Sequence, residues 1–113
     1  MATNTYKILG QVNPTANTQS NVYVVPAATE AVINSIQIAN QSTSNVSYSL
    51  IMMPSGAYAS PAAAANYVVR GGVVPAADSI ILTIGLTANA GSIFAANTNN
   101  PNVSFSMFGS EIT

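Results

Sequence analysis

Charge is what this sequence has least of. Globular domains carry roughly 25% Asp, Glu, Lys and Arg, whereas here the share is 4%, and every charged residue can be named: Lys7, Glu30, Arg70, Asp78 and Glu111. Two basic residues cannot form the patch that displaces counterions from a phosphate backbone, so nucleic acid is not an expected partner. Histidine is absent, which removes the usual general base near neutral pH and the commonest metal ligand. Cysteine is absent too, leaving no disulfide framework and no thiolate chemistry.

Long apolar runs are also missing. Short pieces such as Ile80 to Leu82 and Ala62 to Ala65 fall far short of the roughly 18 residues of a membrane helix, and no membrane partner is expected. The segment Met1-Ala2-Thr3-Asn4-Thr5 has neither the basic start nor the apolar stretch of a secretory signal, so the chain is expected to be made and used without Sec export. Disorder would require low hydrophobicity with high net charge, and this chain is 49% hydrophobic with a net charge of -1. Its 113 residues suffice for a single folded domain over 1–113.

Little remains for catalysis. The carboxylates number three, Glu30, Asp78 and Glu111, far apart in sequence, and a glycosidase-like site would need two of them to converge across a cleft. A serine nucleophile needs an activating base, for which Lys7 is the sole amine candidate. Calcium sites draw on several clustered carboxylates and carbonyls. The expectation is a protein that is not an enzyme and carries neither cofactor nor metal.

What the sequence does have is short alternating runs of about five to eight residues separated by Asn, Ser, Thr, Gly and Pro, the pattern of an all-β sandwich. In Val46 to Met53, the residues Val46, Tyr48, Leu50 and Met52 share one face and Ser47 and Ser49 the other. Val103, Phe105 and Met107 alternate with Ser104 and Ser106 in the same way. Tyr48 and Phe105 are thereby core residues, not a stacking platform for bases.

Further strands are predicted at Thr5 to Val12, Asn21 to Val25, Ala31 to Asn40, Tyr67 to Val74, Ser79 to Ile84 and Ser92 to Ala96. The fold expected is a single β-sandwich of about eight antiparallel strands, jelly-roll or immunoglobulin-like. Asn13-Pro14, Pro54-Ser55-Gly56, Gly71-Gly72 and Asn99-Asn100-Pro101 supply the reversals. Ser60 to Asn66 allows one helical turn or an extended loop, because proline suits a first turn and alanine favours helix.

One internal echo stands out: Val24-Val25-Pro26-Ala27-Ala28-Thr29 and Val73-Val74-Pro75-Ala76-Ala77-Asp78. A strand that ends at proline and is followed by a small-residue bend is a good way to cross between sheets, because proline cannot sit in a central ladder. The alternative is a duplicated half-domain. Three N-x-S sequons, at Asn40, Asn45 and Asn102, follow from the abundance of Asn and Ser, and glycosylation is not expected.

With so few ions, the surface must consist of Asn, Ser, Thr, Gln and Ala. Burying such groups against a neighbour avoids the several kcal/mol that a poorly paired ion costs. The composition therefore favours an assembly subunit whose partners include copies of itself. Strand edges with few lysines to guard them are expected to be covered by neighbours.

Several segments resemble small virion structural proteins of tailed bacteriophages, of the cyanophage and marine phage type. They are Tyr23-Val24-Val25-Pro26-Ala27 leading into Ala31-Val32-Ile33, then Met53-Pro54-Ser55-Gly56-Ala57, Leu82-Thr83-Ile84-Gly85-Leu86-Thr87, and the terminal Phe108-Gly109-Ser110-Glu111-Ile112-Thr113. The sequence departs from that pattern at Met53, where an arginine would be expected before the Pro-x-Gly turn. The resemblance implies a particle component located in the virion and assembled in the host cytoplasm. Its partners would be its own copies, a trimer among the arrangements allowed, and other virion proteins such as the major capsid protein.

The function expected on this basis is a capsid decoration, or cement, protein that stabilises the head. The alternative is a tail, baseplate or fibre component. A third reading, a carbohydrate-binding module, would call for exposed aromatics, and tryptophan is absent. The interface residues expected are Phe108, Gly109, Ser110, Glu111, Ile112 and Thr113, because an apolar tail ending in Ile112 is more useful docked than dangling. The alternative for that segment is a last strand with a frayed end.

Overall fold

The fold is seen in a computed structural model that describes residues 3–56, 58–59 and 62–113, and for Ile84 the backbone only. Met1 and Ala2 of the amino-terminal segment, Ala57 of the Met53 to Ala57 segment, and Ser60 and Pro61 of the expected helical turn lie outside the described residues.

Eight strands are present: β1 (Asn4–Val12), β2 (Ser20–Val24), β3 (Glu30–Asn40), β4 (Val46–Met53), β5 (Tyr67–Val74), β6 (Ser79–Ala88), β7 (Ile93–Thr98) and β8 (Val103–Ile112). One 3-10 turn, Ala64–Asn66, precedes β5, within the segment where a helical turn or loop was expected. The strands form two four-stranded sheets, ordered β1-β8-β3-β6 and β2-β7-β4-β5.

The pairing is simple to state. β1 pairs β8, β2 pairs β7, β3 pairs β6 and β4 pairs β5, all antiparallel. The chain thus behaves as one long hairpin bent between β4 and β5 and then wound on itself, which is the jelly roll. An immunoglobulin-like sandwich would instead place its first strand beside its second.

Apolar alternation places the core between the sheets. Ile33, Ile38, Val103 and Phe105 of the first sheet and Val74 and Ala96 of the second have no exposed surface. Full burial of a branched or aromatic side chain stabilises the fold by roughly 1.5 to 3 kcal/mol. Tyr48 meets Phe105 edge-on across the sheets, ring centroids 6.3 Å apart. Tyr23 stacks on Phe94 of the neighbouring strand at the same distance, 6.3 Å.

The alternation in β4 holds as read, with Met52 packed against the main core behind Val46, Tyr48 and Leu50. Its other face is not polar throughout. Ile51 and Met53 are buried there with Ala95 in a second cluster, against which Ala62, Tyr67 and Ile93 pack. The connection from β4 to β5 crosses this face and is tied down by Gln19, which donates to the Ala59 carbonyl at 2.7 Å and accepts from the Ala62 N–H at 3.0 Å. Met53, where the resemblance would place an arginine, is fully buried, so a salt bridge at that position is not formed.

The echoed segments do cross between sheets, β2 to β3 and β5 to β6. Their geometry matches through the first five residues and departs at the sixth, where Thr29 is buried and Asp78 exposed. The first valine is exposed and the second buried, 47% against 2% at Val24 and Val25 and 59% against 0% at Val73 and Val74. Ala28 and Ala77 both take left-handed backbone, with φ of 56° and 52°. The two crossings lie at opposite ends of the sandwich: Val25 bonds to Ser92 at one end, and Ala77 bonds to Ser42 at the other.

At the second end a buried asparagine gathers the turns. The Asn40 side-chain amide donates to the carbonyls of Ser44, Val74 and Pro75, and its oxygen accepts from the Ser42 N–H and hydroxyl. With 3% exposure, this first sequon residue is a structural hub and is closed to a glycan; Asn45 and Asn102 are exposed.

Candidate assembly surface

The six carboxyl-terminal residues are expected to dock or to form a last strand with a frayed end, and the fold makes them the end of the last strand. Phe108 to Ile112 complete β8, which lies between β1 and β3 and pairs with both. Thr113 closes the ladder through two backbone hydrogen bonds with Thr3, of 2.7 and 3.0 Å. A strand paired on both sides has no free backbone edge, so this segment can meet a partner only through side chains.

Those side chains divide by face. Phe108, Ser110 and Ile112 point out from the sheet, in register with Ile8, Tyr6 and Asn4 of β1 and with Ser35, Val32 and Glu30 of β3. Gly109 and Glu111 point toward the other sheet. Gly109 is required by close approach, because a Cβ there would collide with the Val32 carbonyl oxygen.

The outward face is the counterpart of the one that the β4 to β5 connection covers on the second sheet. It carries large apolar groups in solvent: Tyr6 is 76% exposed, Ile8 54% and Ile81 64%. Phe108, Val32 and Ile112 sit half-buried among them. Among the described outward positions of this sheet, charge enters only at Glu30, on the rim. The surface is therefore flat, apolar and hydroxyl-rich, and it can be covered without burying an ion.

Glu111 forms the one internal ion pair among the described residues. Its carboxylate receives the Lys7 ammonium at 3.0 Å and the Tyr23 hydroxyl from the facing sheet. The Glu111 side chain is 12% exposed. The Tyr23 and Lys7 hydrogen bonds hold its pKa below the ordinary carboxylate value, outweighing burial. The Tyr23 phenol is pushed up, by burial first and then by the hydrogen bond and charge of Glu111. Sequence reading missed this cluster, although the scarcity of charge made Lys7 and Glu111 an obvious pair to try.

The three carboxylates do not converge. Glu30 and Glu111 reach the same end of the first sheet on opposite faces, since Glu30 pairs with Ile112. Asp78 bonds through its carbonyl to Asn40 at the far end of β3, about 30 Å away by strand rise. Among the described residues, no group of His, Cys, Asp and Glu is placed to hold a metal ion.

No family model matches the sequence, and no curated protein matches it. Among solved structures, the fold is similar to that of a chain in the T13 viral particle of IBDV, with a TM-score of 0.50 and 11% identity over 99% of this chain. It also aligns with a chain from infectious bursal disease virus strain Gx, with a TM-score of 0.49 and 8% identity over 99% of this chain and 32% of that one. This chain spans 30% of the length of the first of these chains. The likeness to the first of them is one of fold.

Proposed function

We propose that this chain is a non-enzymatic structural protein of a tailed-phage virion, seated on the head in many copies as a decoration protein. The observation that carries the reading is the open outer face of the β1-β8-β3-β6 sheet, apolar at Tyr6, Ile8, Ile81 and Phe108 and free of ions except at its rim. Such a face packs flat on the major capsid protein or on another copy without desolvating charge. The jelly roll holds it rigid, and the terminal hexapeptide that resembles the phage proteins supplies the second half of β8, one of its two central strands.

The work done is mechanical: shape-complementary burial, with no reacting group. Immunogold labelling of intact virions, using antibody raised against the full chain, tests the placement. Dense label over heads is the expected result. Label confined to tails would reassign the protein to the tail, and particles without label would overturn the virion reading.

A further inference from the structure

Four strands have a free edge in this sandwich, β1 and β6 in the first sheet and β2 and β5 in the second. Three are blunted in the ways that keep edges from pairing. β1 carries Lys7 and a register break between Ile8 and Gly10. β2 is five residues long with a break between Asn21 and Tyr23. β5 carries the exposed Arg70 and a left-handed Gly71, φ 75°, and its pairing with β4 breaks twice.

The fourth is guarded least: its ladder with β3 shifts register once, between Thr83 and Leu86. β6 runs ten residues, Ser79–Ala88, with no charged residue and no proline. Its only ladder is with β3, so half of its backbone donors and acceptors face outward. An extended strand is the ligand that satisfies them.

We propose that β6 pairs antiparallel with β6 of a second copy across a two-fold axis, joining two four-stranded sheets into one continuous sheet of eight. The argument for a like partner is self-complementarity. With Thr83 opposite its own copy, Ile81 falls opposite Gly85 on the outward face. Ile81 is 64% exposed, and nothing lies within 4 Å of where a Gly85 Cβ would be, so each isoleucine fills the space the other copy's glycine leaves open. Thr83 against Thr83 is a favourable cross-strand pair.

Electrostatics agrees. The nearest charge along the strand, Asp78, lies one residue beyond Ser79, so the two copies of Asp78 stand at opposite ends of the seam, about 30 Å apart. That is well past a Debye length of about 10 Å. Pairing through β1 or β5 would instead bring Lys7 or Arg70 toward its own copy. The seam needs only the free edge and not a place in a virion, so dimerisation and virion labelling can fail independently.

Sedimentation of the full chain from about 1 to 100 µM, a range that spans ordinary homodimer affinities, is expected to show a monomer-dimer equilibrium. Thr83→Lys sets two ammonium groups against each other and is expected to weaken the dimer at least about tenfold. Thr43→Lys adds the same charge on an exposed turn elsewhere and is expected to leave it unchanged. The chain has no cysteine, so single-cysteine variants report position: Thr83→Cys is expected to crosslink under mild oxidation faster than Thr43→Cys, since facing Cα atoms lie within disulfide reach. A wild-type monomer throughout the range, an undiminished Thr83→Lys dimer, or equal crosslinking of the two variants would each overturn the pairing.

Discussion

Glu111 is the residue on which the largest share of this protein's electrostatics rests. Because its folded pKa is depressed, its contribution is present above the unfolded carboxylate value of about 4.3 and is lost as pH falls through the folded value. Tyr23 works in the opposite direction. Its pKa is raised, so its contribution is present below about 10 and is lost as pH rises beyond that. Glu111→Gln removes the charge-assisted bonds from Lys7 and Tyr23, at an expected cost of about 1 to 2 kcal/mol near neutral pH. The fall in urea midpoint below about pH 4.3 should flatten in the variant, while part of the alkaline limb persists because Tyr23 stays buried. An unchanged acid limb would show that Glu111 does not carry it, a clear readout in a chain with three side-chain carboxylates.

At the scale of elements, the two inter-sheet crossings owe their matching shape to Val-Pro-Ala-Ala, and both put alanine where glycine is the easier residue. Left-handed backbone costs a residue with a Cβ about 1 kcal/mol. Ala28→Gly and Ala77→Gly are each expected to stabilise the fold by a few tenths to about 1 kcal/mol, the gain reduced by glycine's greater unfolded entropy. Equilibrium denaturation checks this, and a loss of stability in both variants would count against it.

The last strand behaves differently. Deleting Gly109 to Thr113 strips partners from β1 and β3 together, so the expected outcome is an unfolded chain, visible as loss of the far-ultraviolet β signal. A folded truncation would contradict the central place of β8. That placement was not legible in the sequence, because Phe-Gly-Ser-Glu-Ile-Thr at a terminus looks the same locally whether its neighbours are solvent or two strands nearly the whole chain away.

At the scale of the molecule, the two sheets bury their outer faces unequally. The second is covered in part by its own β4 to β5 connection, over Ile51, Met53 and Ala95, and the first is left bare. Tyr6→Glu combined with Ile8→Lys, both at exposed positions, should therefore leave the melting temperature within a few degrees, since surface changes away from special features stay near ±0.5 kcal/mol. The same double variant should abolish association with virions, measured by co-sedimentation. Retained association would move the contact to another surface.

Local chemistry alone determined a great deal here. Alternation at Val46 to Met52 and at Val103 to Met107 marked which side chains face the core, since that period depends only on the backbone pleat. Proline and the small residues after it marked the crossings, and strands β4 and β5 match their expected limits. Other limits shifted by a residue or two, and β6 and β8 extend further than alternation suggested, because β6 carries Gly85 in its interior and β8 is held by neighbours on both sides.

The choice between a jelly roll and an immunoglobulin-like sandwich was decided only in three dimensions, since strand order depends on contacts between residues as distant as Asn4 and Ile112. The same holds for the buried Ile51 and Met53, the hub at Asn40 and the Lys7, Glu111 and Tyr23 cluster. Each is a meeting of side chains from separate strands, and no one-dimensional pattern records which strands the winding will bring together.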